Sequence, residues 1–161
     1  KIPEMVEQGV NVCLGTDGNN AANYSDLYRA TYLAAGLFKD ARRDPRMIPA
    51  GTAFEMATLG GARALQLADR IGSVEVGKLA DLVLHDRDRP EWTPLLNVEN
   101  QLVYAADGRS VHTVLVQGRK VVEDHRVLTV DTERLFARAE RAARALIDRS
   151  GLPLKARWPT R

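Results

Sequence analysis

Cysteine, histidine and aromatic residues are all scarce in this sequence of 161 residues, and each scarcity excludes a class of structure. The one cysteine, Cys13, cannot form an internal disulfide, and its place in an apolar run predicts a small buried side chain. No apolar run approaches the roughly 20 residues that a membrane-spanning helix needs, and no signal-peptide pattern opens the sequence. The net charge of +2 gives no reason to expect a nucleic-acid partner. We therefore expect a cytoplasmic protein that binds neither membrane nor nucleic acid.

Several catalytic signatures are also missing. His85, His112 and His125 stand singly, without an HxH or HxxxH pair, which favours packing roles over metal ligation. The H-x-E and P-C-x-x-C motifs of the cytidine-type zinc deaminases are absent, and so is the G-x-S-x-G motif of serine hydrolases. The stretch "GTDGNN" has neither the lysine nor the spacing of a phosphate-binding loop.

The segment "GVNVCLGTDGNNAAN", residues 9–23, is the first feature that suggests a site. Val10–Leu14 is apolar and β-branched, which predicts a buried strand of a parallel sheet. Asp17 follows the carboxyl end of that strand, where α/β folds place catalytic and binding groups. An aspartate flanked by glycines can also be a turn residue, whose carboxylate accepts hydrogen bonds from backbone amides. The residues alone favour this simpler role over a catalytic one.

Three asparagines, Asn19, Asn20 and Asn23, follow Asp17 on the same loop. Asparagine side chains shape loops through bonds to nearby backbone, and they also contact polar substrates, so both roles stay open. Ser25 is a candidate N-cap for the helical pattern that follows. Thr52 and Glu55 have capping-box spacing, which predicts a second helix from about Ala53.

The pattern changes near residue 69, where helical periodicity gives way to strands. Ala80–His85 reads as a strand, and Gly118 separates two alternating runs, as in a tight hairpin. Trp92 is expected to anchor a linker rather than to cover a pocket. Leu135, Ala139 and Ile147 recur at helical spacing before an irregular tail.

Four stretches in order resemble the amidohydrolase superfamily: "GVNVCLGTDG", "EMATLGGARAL", "IGSVEVGKLADLVLHD" and "VHTVLVQGRKVVED". The resemblance is to the branch of metal-dependent deaminases and chlorohydrolases that includes guanine, 8-oxoguanine, cytosine and S-adenosylhomocysteine deaminases. It implies an α/β fold, namely the carboxyl-terminal part of a (β/α)8 TIM-type barrel joined to part of a small β-sandwich. Residues 1–68 would then be the end of the barrel with Val10–Leu14 as its eighth strand, residues 69–130 the sandwich portion, and residues 131–161 a carboxyl-terminal helix and tail.

The resemblance also implies a site. In this family the aspartate that ends strand eight approaches a divalent metal and transfers protons, and Asp17 is the matching position. The implied cofactor is zinc, with iron as the alternative, and Asp17 is both its ligand and a catalytic residue. The family's other ligands, an HxH after strand one and histidines after strands five and six, are absent from this sequence. We therefore expect the last third of a longer enzyme, inactive by itself.

The implied activity is hydrolytic deamination of a nitrogen heterocycle such as a purine, pterin or triazine, with Asn19, Asn20 and Asn23 as tentative substrate contacts. A ring-opening or dechlorinating hydrolase of the same superfamily is one alternative. A non-catalytic oligomerisation domain is the other. The partners expected are a small heterocyclic substrate and, for the full-length enzyme, further copies of itself in a homo-oligomer.

Overall fold

A computed structural model describes residues 1–153 and Trp158. The chain divides into two compact units, residues 1–126 and residues 127–161. The first unit combines helices with a small sheet, and the second contains one long helix, so the structure has mixed α and β content. Among the described residues, no helix is both long and apolar enough to cross a membrane.

Helices form the amino-terminal part of the first unit. They are α1 (Ile2–Glu7), α2 (Asn19–Ala22), α3 (Leu27–Arg42), α4 (Ala50–Ala57) and α5 (Leu59–Ala64). Shorter helical turns follow: a 3₁₀ turn at Pro90–Trp92, α6 (Val98–Asn100), a π-helical turn at Gln101–Ala105 and a 3₁₀ turn at Gly108–Ser110.

The cap of α3 is not the predicted residue. Asp26 is the N-cap, and its side chain accepts a hydrogen bond from Arg29 N at 3.2 Å. Ser25 instead donates its hydroxyl hydrogen to Asn19 Oδ1 at 2.6 Å. A carboxylate is at least as good an N-cap as a hydroxyl, so the chain places the aspartate at the helix end and uses the serine within the loop.

Helix α4 begins at Ala50 rather than near Ala53, and the predicted capping box is not formed. Pro49 is its N-cap, with no side-chain capping bond, and its φ of −60° suits entry into a helix. Glu55 pairs with Arg63 at 2.6 Å instead of folding back onto the amino end of the helix.

A small apolar core lies where α3 and α4 meet the π-helical turn. Ala35 and Ala53 are fully buried, and their small side chains allow the two helices to approach closely. The buried members of the core are Ala35, Ile48, Ala50, Ala53, Met56 and Val103, with Ile2, Val12, Leu14 and Phe38 packed against them.

The segment Val10–Leu14, predicted as a strand, forms no strand in this structure. Within the described residues it donates two backbone hydrogen bonds, from Val10 N to Met5 O and from Leu14 N to Met56 O, both at 3.0 Å. A strand needs a neighbouring strand to complete its hydrogen-bonded ladder, and no described strand lies beside this segment. The prediction is therefore wrong for this chain by itself.

Burial alternates along the same segment, and this alternation corrects the prediction for Cys13. Val12 and Leu14 are partly buried against the core, whereas Asn11 and Cys13 are exposed. A period of two is typical of an extended chain with one packed face. Cys13 is exposed although α5 lies beside this side of the segment, where Asn11 donates its side-chain amide to the Gly60 carbonyl at 3.0 Å.

The second half of the first unit is built on an antiparallel sheet, as the change in periodicity predicted. Its strands are β1 (Leu82–His85), β2 (Val111–Val116), β3 (Arg119–Glu123) and β4 (Arg126–Val127), in the order β1-β2-β3-β4. Val83 lies opposite Val114, and Val114 lies opposite Val122, so apolar side chains face one another across three strands.

The predicted hairpin at Gly118 is confirmed. Gln117 and Gly118 have φ of 51° and 77°, and two successive left-handed residues are what a two-residue type I′ hairpin requires. Asp124 and His125, between β3 and β4, have φ of 47° and 63° in the same arrangement.

The second unit contains helix α7 (Thr132–Ser150), which confirms the helix predicted from the apolar spacing. Asp131 caps its first turn by accepting a hydrogen bond from Arg134 N at 2.9 Å, and Gly151 ends it with a φ of 62°. Most of the predicted irregular tail, residues 154–157 and 159–161, lies outside the described residues.

Candidate active site

Asp17 lies exposed at the end of the segment that packs on the core. Its φ of 58° is left-handed, a conformation that aspartate adopts more readily than most residues because its short side chain bonds locally. Here Asp17 Oδ1 accepts a hydrogen bond from Gly18 N at 2.6 Å. Within the described residues Oδ2 accepts none, so one carboxylate oxygen shapes the turn while the other remains free for chemistry.

Asp17 is exposed at the end of a segment of which Val12 and Leu14 pack on the core. Its carboxylate is therefore open to a ligand or to another chain segment.

The asparagine loop, residues 19–25, follows directly. Asn19 Oδ1 accepts the Ser25 hydroxyl at 2.6 Å, and Asn23 ends α2 with a φ of 62°, so both have loop-shaping roles. Asn20 Oδ1 lies close to Gly18: a Cβ atom added to Gly18 would be 2.5 Å from it. In the described part of the chain the side chains of Asn20 and Asn23 make no hydrogen bond, which leaves their amides available to a substrate.

Each of the three histidines has hydrogen-bonding neighbours in the structure. His112 Nε2 lies 3.0 Å from Asp124 Oδ1. His125 Nδ1 lies 2.8 Å from the Val111 carbonyl, and its Nε2 lies 3.2 Å from Arg89 Nη2. Among the described residues, no three histidine, cysteine or acidic side chains lie close enough together to hold a metal ion.

The pairing of His85 with Tyr28 was not predicted. Tyr28 Oη lies 2.7 Å from His85 Nε2, and His85 Nδ1 lies 2.9 Å from Ser110 Oγ. One signal could have suggested such a contact: Tyr28 lies three positions before Thr31 on α3, so the two share a side of the helix, and a partly buried tyrosine hydroxyl usually has a hydrogen-bond partner.

A cleft of about 760 Å³ opens beside this pair but does not reach Asp17. Apolar side chains line most of it, among them Phe54, Ile71 and Leu82, with Tyr28 and His85 in its wall. Trp92 does not line the cleft; it is 5% exposed and lies against the His85 ring, as expected of an anchor.

The helices, the antiparallel sheet and the aspartate at the end of an unpaired extended segment define a mixed α and β protein with one acidic candidate site. The model of the amidohydrolase family matches residues 1–121. The chain therefore belongs to the amidohydrolase family.

Similar proteins include deaminases and a chlorohydrolase. The chain is 46% identical over 147 residues to the 5-methylthioadenosine/S-adenosylhomocysteine deaminase of Desulforudis audaxviator, with 91% of this chain and 34% of the relative covered. Among solved structures it is similar to an adenosine deaminase from Xanthomonas campestris with bound zinc, at 38% identity and a TM-score of 0.86, covering 89% of this chain and 33% of that one. It is also similar to an atrazine chlorohydrolase from Arthrobacter aurescens complexed with zinc, at 27% identity and a TM-score of 0.78, covering 87% and 31%.

The chain spans about a third of the length of the curated relatives it matches. Family membership, and with it the expected superfamily, is confirmed. The roles expected of Asp17 and of the asparagines stay predictions.

Proposed function

We propose that this chain is the carboxyl-terminal third of a metal-dependent aminohydrolase that removes the amino group of an adenine nucleoside. The observation that carries the proposal is the position of Asp17, which is exposed at the end of the segment packed on the core and has one carboxylate oxygen that accepts no hydrogen bond from the described residues. The names of the relatives support the substrate class, since both a 5-methylthioadenosine/S-adenosylhomocysteine deaminase and an adenosine deaminase are among them.

In this proposal residues 10–14 form the eighth strand of a TIM-type barrel, residues 1–68 end that barrel, and residues 69–130 contribute to a β-sandwich. The absence of a paired strand beside this segment in the described residues supports it, because a strand of a closed barrel is hydrogen-bonded along both edges and needs neighbours to do so. A cytoplasmic location and a homo-oligomeric full-length enzyme stay predictions.

Asp17 is the proton carrier of the proposed reaction. Its carboxylate accepts a proton as water adds to the amino-bearing ring carbon, and it returns that proton to the departing amine. The ring carbon loses its bond to nitrogen and gains one to oxygen, so the products are a keto heterocycle and ammonia. The hydrogen bond from Gly18 N holds the carboxylate in one orientation during both transfers.

The residues that the structure describes do not make a metal site by themselves, since no three candidate ligands come together in them. Asp17 would supply one carboxylate, and the other ligands would come from outside this chain. The chemistry that a divalent metal supplies in such a site is Lewis acidity, which makes water a stronger acid near neutral pH. Zinc is proposed first because the solved relatives contain it, with iron as the alternative.

The metal proposal predicts that the purified chain retains zinc only in substoichiometric amounts. One carboxylate cannot replace the three or four ligands that protein zinc sites use. Elemental analysis after gel filtration in zinc-containing buffer, with the full-length relative from Desulforudis audaxviator as the positive control, measures it. Stoichiometric, chelator-resistant zinc on the chain alone would overturn the proposal that the other ligands lie elsewhere.

The proposed function is tested in a chimera in which this chain replaces the homologous third of the Desulforudis audaxviator deaminase. We expect ammonia release from 5-methylthioadenosine, S-adenosylhomocysteine or adenosine with a kcat/KM within about tenfold of the parent, which corresponds to about 1.4 kcal/mol of transition-state stabilisation. A folded, zinc-loaded chimera that releases no ammonia would refute the deaminase assignment.

The same chimera separates the alternatives. Chloride release from atrazine without ammonia release from any nucleoside would favour the dechlorinating hydrolase, for which the similarity to the atrazine chlorohydrolase is the specific support. Assembly into oligomers without turnover of either substrate would favour the non-catalytic oligomerisation domain.

A further inference from the structure

The Tyr28, His85 and Ser110 side chains form a chain of hydrogen bonds that ends on a backbone carbonyl. Ser110 Oγ lies 3.1 Å from the Asp107 carbonyl, which can only accept, and we assign the serine hydroxyl hydrogen to that bond. With this assignment His85 Nδ1 carries the hydrogen shared with Ser110 Oγ at 2.9 Å. His85 Nε2 keeps its lone pair and accepts the Tyr28 hydroxyl at 2.7 Å. The assignment gives a neutral imidazole in the Nδ1–H form.

This chain of bonds is fully buried at Ser110 and partly buried at His85 and Tyr28, which line the cleft. Ser110 is fully buried, and the His85 ring packs between the Tyr28 ring at 5.7 Å and the Trp92 ring at 5.2 Å. Burial lowers the pKa of His85, and burial together with the nearby Asp26 carboxylate raises the pKa of Tyr28 to about 12. Both groups are therefore held neutral near pH 7.

No ionised side chain on the surrounding elements forms an ion pair with His85 in the described structure. Asp86, which follows it on β1, pairs with Arg89 at 3.0 Å, and Asp107 pairs with Arg109 at 2.8 Å. Two other acidic residues have backbone partners: Asp26 caps α3, and Asp81 accepts a hydrogen bond from Gln117 N at 2.7 Å. Glu91, next to Trp92 in the sequence, has one buried carboxylate oxygen without a hydrogen-bond partner among the described residues.

Protonation of His85 would reverse the bond to Tyr28. An imidazolium has no lone pair on Nε2, so Tyr28 can no longer donate its hydroxyl hydrogen to the ring. A charged imidazole in this partly buried place loses solvation and gains no anionic partner from the described residues, so the contact between α3 and β1 weakens when His85 is charged.

Tyr28 also connects this contact to the candidate site. Tyr28 is the second residue of α3, two positions after the capping Asp26. Ser25, just before that cap, donates its hydroxyl hydrogen to Asn19 Oδ1 in the asparagine loop. The first turn of α3 is therefore linked to the asparagine loop through the hydrogen bond between Ser25 and Asn19.

We propose that the hydrogen bonds from Tyr28 through His85 to Ser110 hold the first turn of α3 on β1 and thereby position the asparagine loop beside Asp17. These hydrogen bonds form when His85 is neutral. Tyr28 and His85 are positioning residues in this proposal, which rests on the proposed function for its effect on catalysis. The structural part can be tested without catalysis.

The structural test is nitrogen-15 NMR of the 161-residue chain across about pH 5 to 8, where histidine titrates. We expect His85 in the Nδ1–H form, with a titration midpoint below the ordinary value of about 6.5. Amide shifts of Asn19, Asn20 and Asn23 should follow the same titration. In Tyr28→Phe the midpoint should rise, because the neutral imidazole loses its hydrogen-bond donor, and the asparagine shifts should move.

Tyr32→Phe is the matched control, since Tyr32 lies on the same helix and is 52% exposed. It should leave both His85 and the asparagine loop unchanged. An Nε2–H imidazole, or asparagine amides that respond neither to His85 titration nor to Tyr28→Phe, would overturn the proposal whether or not the chimera is active.

The catalytic test uses the chimera. Tyr28→Phe should raise KM about fivefold with little change in kcat, the size expected from the loss of one buried hydrogen bond. His85→Gln keeps an acceptor near the Tyr28 hydroxyl but cannot titrate, so its KM should stay near that of the unmodified chimera at pH 8 and should not rise at acid pH. Equal losses of kcat in both variants, or an unchanged KM in Tyr28→Phe, would overturn the link to catalysis. A chimera that is inactive without these substitutions refutes the proposed function instead.

Discussion

Asp17→Asn is expected to lower kcat/KM of the chimera by about 10²- to 10⁴-fold, the range that general acid–base groups contribute. Asparagine is nearly the same size as aspartate, still accepts the hydrogen bond from Gly18 N, and tolerates the left-handed backbone that residue 17 adopts. The fold should therefore be preserved. What the amide cannot do is take a proton from water and return it to the departing amine.

The measurement is ammonia release under substrate-limiting conditions, together with the zinc content of the variant. Asp131→Asn is the matched control, because it makes the same chemical change at the N-cap of α7, where asparagine caps as well as aspartate. It should leave the activity within about twofold of the chimera, since surface substitutions usually change stability by under about 0.5 kcal/mol. A zinc-loaded Asp17→Asn variant with unchanged kcat/KM would exclude Asp17 as the proton carrier.

Gly72→Ala is expected to be the most destabilising of the conservative changes in this chain, at about 2–5 kcal/mol of unfolding free energy. Gly72 has a φ of 94°, and a Cβ there would lie 2.7 Å from the Ala62 Cβ and 3.0 Å from the Leu59 Cα. Ala62 is 3% exposed and both residues belong to α5, so the helix cannot easily move away. Two costs therefore add, backbone strain and overlap with a packed helix.

Gly77→Ala separates the two costs. Gly77 has nearly the same φ, 93°, but nothing lies within 4 Å of its added Cβ. It should lose only the strain energy of a left-handed alanine, about 1–2 kcal/mol. Urea unfolding of the two variants, followed by circular dichroism, measures the difference. Equal losses at both positions would mean that the contact between Gly72 and α5 contributes nothing to stability.

Elements with a strong local signal were predicted well. The apolar spacing of α3 and α7 and the turn residues at Gln117 and Gly118 act over a few neighbouring residues, and the structure confirms each of them. Helix starts were less certain because several residues compete to cap the same end. Asp26 replaced Ser25 at α3, and Pro49 replaced the expected capping box at α4.

The Val10–Leu14 strand and the burial of Cys13 were mispredicted for one shared reason. An apolar β-branched segment forms a strand only beside another strand, and its second face is buried only when something covers it. The described residues supply no neighbouring strand and do not bury the second face, so the segment is unpaired and Cys13 is exposed. Asp17 follows the same segment, and its catalytic role stays a prediction.

The order of motifs in the sequence was sufficient to assign the amidohydrolase family, and the position of Asp17 after an apolar segment was sufficient to nominate it as the acidic residue of a site. Those features are local, so neighbouring residues encode them. The chain of bonds from Tyr28 to His85 and Ser110 depended on three-dimensional contacts. Tyr28 and His85 lie 57 positions apart, and His85 and Ser110 lie 25 apart, so only packing of α3 against β1 could bring the hydroxyl and the imidazole together.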